Sequence, residues 1–154
     1  MAASRCLAIY RTMPVTRNLV LLITVLTLVG CGDGLAKVNG KVTLDGRPVT
    51  GGTQMYGTVN FYPANGSGVP AVGVIDESGQ YKLMSGSRKG TEPGTYLVSI
   101  AMNKITLPTK PSEMPQPTLV TPKKYANMSE SGLRAEIKAG SNTLDFDLSS
   151  KPAK

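Results

Sequence analysis

An all-β domain is the fold this sequence predicts, and three observations predict it. Apolar residues recur at every second position in one short segment after another, the period of a half-buried strand. The 17 Gly and 11 Pro supply frequent turns, which suits many short strands better than long helices. A chain of 154 residues holds one ordinary core. With no Trp and 2 Phe, that core falls to Val, Leu, Ile and Tyr.

The chain begins with a segment of another kind. Leu19 to Val29 reads LVLLITVLTLV, eleven uncharged residues between Arg17 and the pair Gly30-Cys31. A helix crossing a bilayer core of about 30 Å needs about twenty such residues. A basic start, a short apolar run and a small residue at the cut describe an export signal instead. Leu28-Val29-Gly30-Cys31 resembles the bacterial lipobox. That resemblance implies cleavage between Gly30 and Cys31, a thioether-linked diacylglycerol on Cys31, and acyl chains such as palmitate on the new amino terminus. Two or three chains at about 0.8 kcal/mol per buried CH₂ make a stable anchor. The other cysteine, Cys6, lies inside the predicted signal's span of 1–30, so the mature chain offers Cys31 no disulfide partner. Met13 opens a compact signal of its own, MPVTRNLVLL, and is a second candidate start.

After a short tether, 31–36, the alternation begins. In VNGKVTL, Val38, Val42 and Leu44 share one face, with Asn39, Lys41 and Thr43 on the other. Asp45-Gly46 supplies a turn, and Pro48 forbids central pairing. Next, Val59 and Phe61 point inward from Thr58–Tyr62, Val72 and Val74 from Ala71–Ile75, and Tyr81 and Leu83 from Gln80–Met84. Asp76-Glu77-Ser78-Gly79 joins the last two as a hairpin. Thr95–Met102 aligns Tyr96, Val98, Ile100 and Met102, while Leu97 and Ala101 on its other face mark a central strand. Leu133, Ala135 and Ile137, then Leu144, Phe146 and Leu148, alternate on either side of Ala139-Gly140. Seven strands without a convincing helix predict an antiparallel sandwich over 37–149, followed by a tail at 150–154.

The segments VNGKVTLDGRPVTGGTQMYGTVNFYP, GVIDESGQYKL and EPGTYLVSI, in that order, resemble the transthyretin-like, carboxypeptidase-regulatory-type β-sandwich of small bacterial lipoproteins. PKKYANMSESGLRAEIKAGSNTLDFDL resembles their terminal hairpin. The resemblance implies an Ig- or prealbumin-like sandwich used as an accessory or binding module, without catalytic residues. It transfers a fold rather than an activity.

Composition narrows the chemistry. With no His, the commonest general base and metal nitrogen ligand are missing. There is no GxSxG or SxxK pattern, so no enzyme is expected. The net charge of +7 shrinks to +4 once Arg5, Arg11 and Arg17 leave with the signal. Spread along the chain, that balance describes a solvated surface rather than a nucleic-acid site. Asp76, Glu77, Asp145 and Asp147 could suggest calcium, but turn and outward strand positions argue against a metal. Lys41 with Asn142 or Asp145 resembles the isopeptide pair of pilin-type sandwiches, yet Lys41 falls on the polar face.

One segment breaks the alternation. Asn103 to Lys124 holds Pro108, Pro111, Pro115, Pro117 and Pro122, in a connection longer than the about 15 residues at which loops become functional or disordered. Read as a site, it docks an envelope protein or glycan in polyproline II form, with Lys110, Lys123, Lys124 and Tyr125 as contacts. The plainer reading is a passive crossover. Its mild basicity would also suit anionic lipid headgroups. The whole predicts a lipid-anchored, extracytoplasmic bacterial lipoprotein with no cofactor beyond the lipid on Cys31. Its partners are the membrane and an envelope protein or glycan.

Overall fold

The computed structural model describes residues 34–108, 110 and 114–151. Gly30, Cys31 and the segment expected to be a signal lie outside them. The strands are β1 (Lys37–Leu44), β2 (Arg47–Pro48), β3 (Met55–Pro63), β4 (Ala71–Val74), β5 (Gln80–Ser85), β6 (Arg88–Lys89) and β7 (Gly94–Thr106). They continue with β8 (Gln116–Leu119), β9 (Leu133–Ile137), β10 (Ser141–Thr143) and β11 (Phe146–Leu148), with one helical turn, α1 (Lys123–Ala126). The all-β expectation holds. The main path runs β10-β1-β5-β4-β3-β7-β8, with β11 and β2 on β1, β6 on β5 and β9 on β7.

The sheet curls around one core. Phe61 of β3 lies at its centre, with ring centroids 6.3 Å from Tyr81, 6.0 Å from Tyr96 and 6.0 Å from Phe146. These rings come from β3, β5, β7 and β11, so one aromatic cluster ties distant strands together. Val38, Val42, Val59, Leu83, Val98, Ile100 and Met102 are buried around it, the faces that alternation assigns inward.

One strand faces the other way from its expectation. Ala71 and Ile75 are buried while Val72 and Val74 are exposed. Gly73 explains the reversal: a Cβ there would stand 2.8 Å from the Tyr81 ring. The space beneath β4 is already filled by Tyr81, so the small residues turn in and the valines turn out.

The carboxy-terminal strands also differ from the expected terminal hairpin. β9 pairs antiparallel with β7 (Leu97↔Arg134), whereas β10 and β11 pair in parallel with β1. The two β1 pairings keep one register, Lys37↔Ser141 and Val42↔Phe146, so 141–148 behaves as a single strand interrupted midway. At the interruption Leu144 crowds β1. A Cβ on Gly40 would meet the Leu144 carbonyl oxygen at 1.7 Å. The Tyr81 hydroxyl donates to that oxygen at 2.6 Å, and the Asp145 carboxylate accepts from Lys41 N at 2.8 Å. A glycine, a tyrosine and an aspartate thus close the seam where backbone pairing lapses.

The opposite edge, β7, is finished by side chains. Between its β9 and β8 pairings, the Thr121 hydroxyl accepts from Met102 N at 3.2 Å and donates to Ile100 O at 3.5 Å. The Ser131 hydroxyl donates to Val98 O at 2.6 Å. Both side chains are buried, and they satisfy backbone groups that would otherwise be orphaned.

The registers give the β-domain two poles. Leu83, Gly73, Val59 and Ile100 align in one row. The chain enters on one side of that row, at Ala36. On the other side β7 runs on, with Thr106 about 20 Å beyond Ile100 at roughly 3.3 Å per residue.

Candidate functional site

Part of the proline-rich segment is paired strand rather than irregular crossover. β7 continues through Thr106 and turns back as β8, with Asn103↔Leu119, Lys104↔Thr118, Ile105↔Pro117 and Thr106↔Gln116 paired antiparallel. Pro117 is accommodated because β8 is an edge strand, where a missing N–H leaves no ladder broken. The hairpin reaches the pole opposite the point where the chain enters. Two of its apolar side chains are uncovered: Leu107 is 60% exposed and Met114 80% exposed.

The four predicted contacts of this segment separate. Lys110 sits, exposed, in the connection between β7 and β8. Lys123 and Lys124 lie on α1, and the Lys124 ammonium stands 4.7 Å over the Tyr125 ring. Tyr125 itself is buried at 7% exposure, and its hydroxyl accepts from Ser149 N at 3.1 Å. Its ring fills core and its hydroxyl fastens the end of the chain, so it offers a partner little surface.

The acidic side chains have local structural work. Asp76 Oδ1 accepts from the Ser78 hydroxyl at 2.6 Å, Ser78 N at 2.8 Å and Gln80 N at 2.9 Å. The Ser78 and Gln80 donors hold its carboxyl below the usual carboxylate range. Asp45 is lowered in the same way by Ser150, whose N–H donates to it at 3.0 Å. Asp45 (φ 50°) and Gly46 (φ 78°) are both left-handed, the geometry of a tight hairpin turn. Asp147 accepts from the Thr43 hydroxyl. Among the described residues no three acidic or thiol side chains gather as a metal site. Lys41 is exposed, and its backbone, not its ammonium, engages Asp145. Burial pushes the Tyr81 phenol up, with Asp145 adding to the shift, which keeps Tyr81 a hydrogen-bond donor.

At the pole where the chain enters, two clefts open. One is lined by Pro63, Asn65, Ser67, Glu92, Thr95 and Tyr96. The other, of about 390 Å³, is lined by Lys37, Lys82 and Lys89 with Val38, Leu83 and Met84, and no carboxylate borders it. Sequence reading missed this lysine cluster because its members come from β1, β5 and β6, and only the registers bring them together.

Comparison with known proteins adds no relative: no protein-family model matches the chain, and no curated protein matches it. Among the described residues no helix is long and apolar enough to cross a membrane.

Proposed function

We propose that this chain is a lipoprotein of the bacterial cell envelope: a non-enzymatic β-sandwich of the transthyretin-like type, held to a membrane by lipid on Cys31 and serving a structural or accessory binding role. The observation that carries the reading is the order of three features. An eleven-residue apolar run ends at Gly30-Cys31, and paired structure begins only five residues later, at Ala36. A signal that is cut before Cys31 leaves a short tether and then a domain with its own core. The lack of His and of any GxSxG elbow supports a non-catalytic role.

A second reading is favoured by the hairpin. Its exposed Leu107 and Met114 lie at the pole away from the tether, where an envelope protein or glycan would meet a membrane-held domain. The first reading is tested by the intact mass of the protein recovered from membranes. A chain beginning at Cys31 and carrying diacylglycerol is expected. An uncut chain, or one with a free Cys31 thiol, would overturn it.

A further inference from the structure

We propose that the groove of Lys37, Lys82 and Lys89 is a docking surface for the anionic phospholipid headgroups of the leaflet that holds Cys31. The inference rests on the lipoprotein reading and adds an orientation to it.

Chain length holds the entry point of the β-domain close to Cys31. From Cys31 to Ala36 is five residues, which extend to at most about 18 Å. Ala36 is pinned on both sides: it exchanges hydrogen bonds with Thr91 at 2.7 and 3.0 Å, and Lys37 N donates to Gly140 O at 2.8 Å. A lipid on Cys31 therefore keeps this pole near the bilayer surface.

The groove opens next to that entry point. Gly90 packs directly on the chain where it enters, since a Cβ there would meet the Ala36 carbonyl oxygen at 2.3 Å. Gly90 also lines the lysine groove. Lys37 follows Ala36 in sequence, Lys89 precedes Gly90, and Lys82 lies across from Asn39 on the neighbouring strand. The Lys37 and Lys89 end of the groove is thus beside the tether, and Lys82 lies towards the middle of the sheet.

The lining of the groove is basic. Lys37, Lys82 and Lys89 line the groove and no carboxylate does, although Lys82 also lies within electrostatic reach of Asp76 in the adjoining cleft; the nearby Arg88 is exposed as well. Glu92 lies at the same pole but lines the separate cleft with Asn65 and Ser67. Met84, 39% exposed, gives the groove an apolar floor against the headgroup boundary. Lysines at an anionic surface attract it additively and lose that attraction as salt rises. The proline-rich hairpin, though also basic, is at the far pole and cannot share this contact.

The test uses the mature acylated protein reconstituted into vesicles with or without phosphatidylglycerol. A fluorophore is placed at Ser87→Cys beside the groove, or at Glu77→Cys on the far pole, and quenched by headgroup-labelled lipid. Quenching at 87 but not at 77 is expected, greater with phosphatidylglycerol and falling with salt. Each of Lys37→Glu, Lys82→Glu and Lys89→Glu should lower the docked fraction relative to the undocked by about fivefold or more. Equal quenching at the two positions, or indifference to both charge reversal and salt, would overturn the proposal and leave the anchor standing. Absence of lipid from Cys31, read by intact mass, would overturn both.

Discussion

Where the chain enters the β-domain, backbone bridges to Thr91 and Gly140 fix it, and a groove lined by lysines from three strands lies on one side of it. At the other pole a proline-rich hairpin ends in uncovered Leu107 and Met114, and aspartates brace the turns. The same curled sheet supports both, so the difference lies in what each end presents. Under the proposed lipid anchor, one end would lie against a charged membrane surface and the other would be left to meet a partner. The middle of the sheet, by contrast, is specialised for cohesion.

That division orders the expected effects of substitution. The largest belong to the middle. Phe61→Ala removes the ring on which Tyr81, Tyr96 and Phe146 converge, and should cost about 3–5 kcal/mol by denaturant unfolding. Gly40→Ala forces a methyl into the Leu144 carbonyl and should cost about 3 kcal/mol, with protection from hydrogen exchange lost first along 141–148. A wild-type-like exchange pattern would show that the β1 seam does not depend on that close approach.

Next comes the β7 edge. Thr121→Val keeps the shape but strips the hydroxyl from Met102 N and Ile100 O, and should cost about 1–3 kcal/mol because a buried N–H is left unpaired. Smaller still, Leu107→Ser on the far hairpin should change stability by less than about 0.5 kcal/mol. If that substitution instead destabilises the fold by as much as Thr121→Val, the hairpin belongs to the core and not to a presenting surface.

The smallest effect is acid dependence of the far-pole turns. Asp76 and Asp45 have carboxyls lowered below 3.8, so their stabilisation is full above that value and is lost as pH falls through the lowered folded value. Unfolding midpoints should therefore drop with pH below about 4, and Asp76→Asn should flatten that slope.

Much of this fold was legible because alternation needs only local information. Tyr81 and Leu83, or Tyr96, Val98, Ile100 and Met102, declare their inward face by size and period alone. β4 did not, since AVGVI alternates equally well in either phase and only the bulk of Tyr81 above Gly73 decides between them. The proline-rich segment hid β8 because edge strands tolerate residues that central strands reject. The parallel β1 seam and the buried hydroxyls of Thr121 and Ser131 leave no periodic trace, as they depend on partners 19 to 104 residues away. Tyr125 read as a candidate contact because an aromatic beside two lysines looks the same in sequence whether its ring is buried or displayed. The lysine groove is illegible for a similar reason: its members are neighbours only across strands.

Cys31 is the proposed point of attachment. Fractionation of cells expressing the wild type and Cys31→Ser tests this most directly. The wild type should sediment with membranes and need detergent for release, while the serine variant should remain uncut and unacylated. Identical membrane retention and an identical amino terminus in the two would contradict the lipid anchor.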